Sequence, residues 1–110
     1  MILPNIETFI GCESSFEEAS IVLYGAPFDS TTSFRPGARF GPSAMRHESF
    51  GLETYSPYQD KDIMDIRVFD SGDLELCFGS SEMALSDIEK RAEEILNAGK
   101  FPLLLGGEHL

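Results

Sequence analysis

Basic residues are scarce in this sequence. Only 8 lysines and arginines stand against 19 aspartates and glutamates, which gives a net charge of -11. Nucleic acid is therefore not expected as a partner, because phosphate binding needs clustered Lys and Arg side chains. An acidic surface would attract cationic small molecules or metal ions, and it would equally serve solubility alone. Charge by itself leaves both interpretations open.

Cysteine is rare as well, and neither Cys12 nor Cys77 belongs to a CxxC pair. A reduced, cytosolic protein is the default expectation for such a sequence. Residues 1–10 contain Pro4 and Glu7 and lack a basic start, so they do not resemble a signal peptide. No apolar run reaches the roughly 18 residues that a membrane span needs. We therefore expect a cytoplasmic protein without a membrane partner.

Apolar residues, by contrast, are plentiful: hydrophobic types make up 42% of the chain, and phenylalanine occurs nine times. This is enough material for a packed core, so disorder is not expected. Short apolar runs that end at turn residues predict three strands, at residues 20–25, 66–70 and 101–105. Residues 1–19 are mixed and acidic, and we expect them to form an N-terminal arm.

Two helices are predicted between these strands. The first should begin at Pro42, because proline is favoured at the first helical position. The start of the second is open: Ser86 with Glu89 matches a capping box, whereas Ser81 would start the helix a turn earlier. Gly99 is placed to end this helix in the left-handed conformation.

Strands that alternate with helices predict an α/β protein with a parallel sheet and helices on both faces. The third strand is apolar on both faces, so we expect it in the middle of the sheet with neighbours on both edges. Three strands and two helices would cover such a strand poorly. The sequence therefore predicts that further chain, or a partner, belongs to this fold.

The best candidate for chemistry is the run Gly106-Gly107-Glu108-His109, which follows the third strand. Ligands and catalytic groups gather at the carboxyl edge of a parallel sheet. There His109 could bind a metal ion, and Glu108 could orient that ligand. Gly106 and Gly107 would allow a sharp turn and keep the space beside it clear. A surface histidine fits equally well, because a metal needs three or more ligands and no second cluster accompanies this one.

Other polar residues near the predicted strand ends allow both a functional and a structural interpretation. Asp29 follows the first strand, on the same expected edge as His109, and either borders the site or stabilises a turn. Asp70 and Asp73 follow the second strand and leave the same alternatives. His47 is expected on a solvated face of the first helix.

The loop before the first helix carries two arginines among conformationally special residues. A helix start flanked by arginine can bind an anion. However, the spacing is not GxGxxG, and a loop of about sixteen residues is too long for a dinucleotide site. We therefore expect a structural loop locked by arginine hydrogen bonds. Its members are Arg35, Gly37, Arg39 and Gly41.

Three runs of this sequence resemble the ureohydrolases, the family of the arginases and agmatinases, with the closest likeness to bacterial agmatinases. They are GAPFD at residues 25–29, SFRPGARFGP at residues 33–42, and GGEH at residues 106–109. The stretch at 51–58 and the turn at 70–73 fit as well, and the likeness runs in register from about residue 20 to the last residue.

The resemblance implies a three-layer α/β/α sandwich around a parallel sheet, with residues 20–110 as the N-terminal portion of a single domain. It implies two manganese ions at the carboxyl edge, one of them bound by His109. Water activated by these metals would attack the guanidinium carbon of agmatine and release urea and putrescine. Relatives of this kind form trimers and hexamers.

Several expectations follow from what this chain lacks. Glu108 and Leu110 replace the Asp and Ser that are more widespread in the family. The remaining metal ligands and the acid and base of the reaction would lie beyond residue 110, so the chain by itself is expected to bind manganese weakly and to be inactive. Arginase, guanidinobutyrase and formiminoglutamase activities stay open, as does a non-catalytic binding or assembly module.

Overall fold

The computed structural model of the chain describes residues 7–30 and 36–108. Its elements are β1 (Ile21–Ala26), a 3-10 turn (Ala38–Phe40), α1 (Gly41–Ser49), β2 (Tyr55–Ser56), β3 (Lys61–Asp62), a second 3-10 turn (Ile63–Asp65), β4 (Val68–Asp73), α2 (Ser81–Asn97) and β5 (Phe101–Gly106). The predicted α/β class, with its alternation of strands and helices, is confirmed.

The main sheet has three strands in the order β4-β1-β5, and both pairs are parallel. Ile21 at the start of β1 pairs with Val68 on one side and with Phe101 on the other. The parallel arrangement brings the carboxyl ends of all three strands to one edge. Strands β2 and β3 form a separate antiparallel pair within the connection from α1 to β4.

Strand β1 occupies the middle of the described sheet and β5 lies at its edge. The predicted central position of the third strand depended on further chain or a partner, and it stays a prediction. Val22 and Leu23 of β1 are buried on opposite faces, whereas Leu103 and Leu104 of β5 are each 45% exposed. Strand β5 pairs with β1 alone. The apolar side chains on both faces of β5 are therefore only partly covered by the described part of the chain.

The two faces of β1 pack against different parts of the chain. On one face Val22, Tyr24 and Phe69 form a core with Ile95 of α2. On the other, Leu23 and Val68 pack with the buried thiol of Cys12. An apolar cavity of about 210 Å³ lies on this second face, and its lining includes Phe9, Ile63, Ile66, Leu103 and Leu105.

Helix α2 begins at Ser81, so the capping box at Ser86 is wrong and the earlier start is correct. The hydroxyl of Ser80 accepts a hydrogen bond from the Met83 N–H at 3.2 Å, which satisfies one of the unpaired donors of the first turn. At the other end Gly99 has a φ of 77°, the left-handed conformation that was predicted for it.

The second long strand also lies further along the chain than expected. Residues 66 and 67 follow a 3-10 turn in which the Asp62 carboxylate accepts from the Met64 N–H, and β4 then runs from Val68 to Asp73. The expected turn at Asp70 to Asp73 is therefore wrong, because those residues belong to the strand.

Residues 7–20 contain no helix or strand, but several hydrogen bonds attach them to the fold. The Phe9 N–H donates to Asp70 Oδ2 at 2.9 Å, and the Ile10 N–H donates to Ser49 Oγ at 2.9 Å. The boundary of the arm at residue 19 stays a prediction. In the two described ranges, no helix is long and apolar enough to cross a membrane.

Candidate active site at the carboxyl edge of the sheet

The turn after β5 is held against the end of β1. Gly107 has a φ of 68°, and a Cβ atom there would collide with the Ala26 carbonyl and lie 3.1 Å from the Phe28 carbonyl oxygen. The next residue, Glu108, donates its N–H to that Phe28 oxygen at 2.8 Å. Only glycine fits this position, and the close approach fixes the direction in which the chain leaves the sheet. His109 and Leu110 lie outside the described residues.

Asp29 is buried beside this turn and holds the loop that precedes α1. Its Oδ2 accepts from the N–H of Gly37 at 2.6 Å and from the N–H of Arg39 at 3.3 Å. Arg39 Nε lies 3.6 Å from the same oxygen. Asp29 therefore orders the loop through its backbone. Whether it also borders a metal site stays a prediction.

The loop is covered by aromatic side chains. The Arg39 guanidinium lies 5.2 Å from the ring centroid of Phe40 and 5.7 Å from that of Phe78. Phe78 in turn stacks on Phe28 at 5.9 Å. Cation–π contacts of this kind add modest stability at a partly exposed site. Arg35, the other predicted loop arginine, lies outside the described residues.

The start of α1 packs on the end of β5. Gly41 is the first residue of α1, one residue before the predicted start at Pro42, and a Cβ atom at Gly41 would lie 2.9 Å from the Gly106 carbonyl oxygen. The glycines at 37 and 41, before and at the start of α1, are therefore brought to the same edge as those at 106 and 107, at the end of β5 and just after it. Gly37 has a φ of 143°, and no atom of the described residues lies within 4 Å of the place that a Cβ would take.

Sequence inspection missed Arg46, which is the largest fully buried side chain among the described residues. Its guanidinium binds both oxygens of Asp70, with Nε–Oδ2 at 2.8 Å and Nη2–Oδ1 at 3.0 Å, and Nη1 binds Asp73 Oδ1 at 2.5 Å. Burial alone would lower the pKa of Arg46, but the hydrogen bonds that it donates to these two carboxylates, together with their negative charges, outweigh burial and raise the pKa. Arg46 is therefore charged at every physiological pH.

A signal for Arg46 was present in the sequence. Pro42, Arg46 and Ser49 are the buried residues of α1, and their spacing places them on one helix face. His47, next to Arg46, is exposed as predicted, with Nδ1 3.5 Å from Glu7 Oε2. Asp70 and Asp73 do lie near the candidate edge, but the structure places them in ion pairs with Arg46.

A family model matches this sequence, and its description is the arginase family, over residues 19–110. The chain belongs to the arginase family. Among the curated relatives, the agmatinase of Bacillus anthracis is 51% identical over 104 residues, which are 94% of this chain and 36% of the relative. The chain thus spans about a third of the length of the curated relatives it matches.

Solved structures agree with the arginase-like fold. The agmatine ureohydrolase of Thermoplasma volcanium matches with a TM-score of 0.89 and 30% identity, over 96% of this chain and 36% of that one. A formiminoglutamase of Trypanosoma cruzi, solved in an oxidised form with Mn²⁺, matches with a TM-score of 0.74 and 27% identity, over 90% and 35%. The predicted fold class and the resemblance to the ureohydrolases are confirmed.

The described residues of this arginase-family chain do not form a metal site by themselves. No group of three or more His, Cys, Asp or Glu side chains lies close enough together in residues 7–30 and 36–108 to hold an ion. Asp70 and Asp73 are engaged by Arg46, and Asp29 by the loop. These residues build the edge of the sheet at which Glu108 follows β5.

Proposed function

We propose that this chain is the N-terminal portion of a longer ureohydrolase that hydrolyses agmatine to putrescine and urea. The observation that carries the proposal is the turn after β5, where Gly107 and the Glu108 N–H fix the chain against Phe28 at the carboxyl edge of the sheet. The arginase-family match includes this turn and His109. The relatives named above supply the substrate class.

Manganese is the metal we propose for this enzyme, with two ions in the full-length protein and His109 as a ligand to one of them. The Mn²⁺ in the related formiminoglutamase supports this choice. When bound, such ions lower the pKa of water and hold it beside the electrophilic carbon. The chain's own contribution is to orient His109, with Glu108 beside it. The other ligands and the proton-transferring groups would come from sequence beyond residue 110.

Charge supports a cationic substrate. The chain carries a net charge of -11, which favours the approach of a guanidinium compound over an anionic one.

We further propose a cytoplasmic homo-oligomer, a trimer or a hexamer. The free thiols of Cys12 and Cys77 are consistent with a reducing compartment. Light scattering of the full-length protein would measure its oligomeric state directly.

The experiment is a comparison of guanidino substrates with the full-length protein at saturating Mn²⁺. We expect urea from agmatine, with kcat/KM at least tenfold above the values for arginine and guanidinobutyrate. Formiminoglutamate is assayed in parallel through formamide release. Turnover of another compound in preference to agmatine would move the assignment to that relative, and no turnover of any would favour a non-catalytic module.

A further inference from the structure

The ion-pair network of Arg46, Asp70 and Asp73, here called the Arg46 clamp, joins a helix to a strand of the main sheet. Arg46 is on α1 and both carboxylates are on β4. The side-chain exposures of Arg46 and Asp70 are 1% and 0%, and the contact between them is bidentate. Planar two-point pairing of this kind fixes the relative orientation of two groups as well as their distance.

A contribution to folding stability does not by itself explain why these charged residues are buried together. Removing a guanidinium and a carboxylate from water costs several kcal/mol per ion, and apolar side chains of similar volume often stabilise a core as well or better. The clamp also satisfies neighbouring donors, because Asp70 accepts from the N–H groups of Phe9 and Gly72. Its distinctive property is therefore geometric: it sets how α1 lies on the sheet.

The N-terminal end of α1 packs against the end of β5, next to the turn that precedes His109 in the sequence. Pro42, in the first turn of α1, lies against Gly25 of β1, where the Asp73 carboxylate also lies. One residue earlier, Gly41 packs on the Gly106 carbonyl. Helix α1 is thus fixed at one end to β4 by Arg46 and abuts the end of β5 at the other.

We infer that Arg46 is a positioning residue, which acts through α1 to set the Gly106–Gly107 turn and so the placement of Glu108, the residue that precedes His109 in the sequence. Its guanidinium is bonded to Asp70 and Asp73 in the described part of the chain, so we place its effect on the turn in the position of the helix. This inference rests on the proposed function in one respect, namely that His109 is a metal ligand. The effect on the turn itself is independent of that assumption.

The test is Arg46→Lys in the full-length protein, with Arg67→Lys as the matched control, since Arg67 is exposed. Lysine keeps the charge but cannot span both oxygens of Asp70. Hydrogen exchange is followed by mass spectrometry on peptides that cover the turn and α2, and Mn²⁺ affinity by the electron paramagnetic resonance of the free ion. We expect at least tenfold faster exchange at the Glu108 amide, unchanged exchange in α2, and a Kd for Mn²⁺ raised about tenfold or more.

Several results would overturn the inference. Exchange at the turn within twofold of wild type would do so, as would a uniform acceleration through β4 and α2, which indicates a merely structural role. If Arg46→Lys does not fold, Asp73→Asn weakens the partly exposed arm of the clamp, and the same criteria apply. If the wild-type protein binds no Mn²⁺ and releases no urea, the proposed function fails, while the exchange data still decide the positioning role.

Discussion

Cys12 is a buried thiol that couples folding to pH in the alkaline range. Burial, followed by the nearby Asp70 carboxylate, raises its pKa from 9.0 to about 11. Between these values the unfolded chain loses the thiol proton and the folded chain keeps it, so stability falls as pH rises from 9 to 11. Relative to Cys12→Ser, wild type should lose roughly 2 kcal/mol over this range. Urea denaturation at pH 8 and pH 11 measures the difference; parallel pH profiles for the two proteins would refute it.

Gly107 is required for steric reasons as well as for its backbone conformation. Gly99 provides a matched control, because it has a similar φ of 77° but open space where a Cβ would lie. Gly99→Ala should cost about 1 kcal/mol from backbone strain, and Gly107→Ala roughly 3 kcal/mol because it adds the collision with the Ala26 carbonyl. Equal losses in urea denaturation would show that the turn is not crowded.

Individual residues divide clearly into those that sequence can and cannot predict. Gly99 and the exposed His47 follow from helix periodicity and end rules, which depend on neighbours close in the chain. The buried pairing of Arg46 with Asp70 joins residues 24 positions apart. A lone arginine in a polar helix is more often solvated, so local pattern favoured the wrong environment for it.

Helix α2 offers a direct test of where its first turn lies. Ser80 caps the helix, whereas Ser86 is an interior position that merely has the spacing of a capping box with Glu89. Ser80→Ala should destabilise the protein by about 1 kcal/mol, and Ser86→Ala should change stability by no more than about 0.5 kcal/mol. Thermal unfolding of both variants measures the two effects. A larger loss of stability for Ser86→Ala than for Ser80→Ala would indicate that the helix starts at the Ser86 capping box.

At the level of elements, the sequence predicted the number and order of the long strands and helices but not their neighbours in space. The three strands lie in the order β4-β1-β5, so β1 is the middle strand of the described sheet. The central position predicted for 101–105 requires neighbours from outside the described residues and stays a prediction. Strand β5 has apolar residues that the described chain does not cover. Periodicity reports how apolar a strand is, and not which other strand covers it.

For the molecule as a whole, the isolated 110-residue chain and the proposed longer enzyme should behave differently. The described residues contain no group of three or more ligands, so the chain alone should bind Mn²⁺ weakly and release no urea. Calorimetric titration with Mn²⁺ checks this. Tight, stoichiometric binding by the 110-residue chain would mean that the ligands are already complete within it.

Family membership and fold class could be anticipated from sequence because RPGARFGP and GGEH are distinctive runs with fixed spacing. The geometry that surrounds them could not be anticipated. Asp29 holding the loop through backbone N–H groups, and Glu108 bonded to the Phe28 carbonyl, depend on contacts across loops whose conformation no local rule specifies.

His109, which follows the turn after β5 in the sequence, is the proposed manganese ligand of this ureohydrolase. The most direct measurement is the manganese content per chain of the full-length protein and of His109→Ala, after incubation with Mn²⁺ and gel filtration, with urea release from agmatine assayed on the same samples. We predict two ions for wild type, a loss of at least one ion in His109→Ala, and a fall in kcat of about 100-fold or more. Unchanged manganese content and urea release in the variant would show that His109 is not a metal ligand.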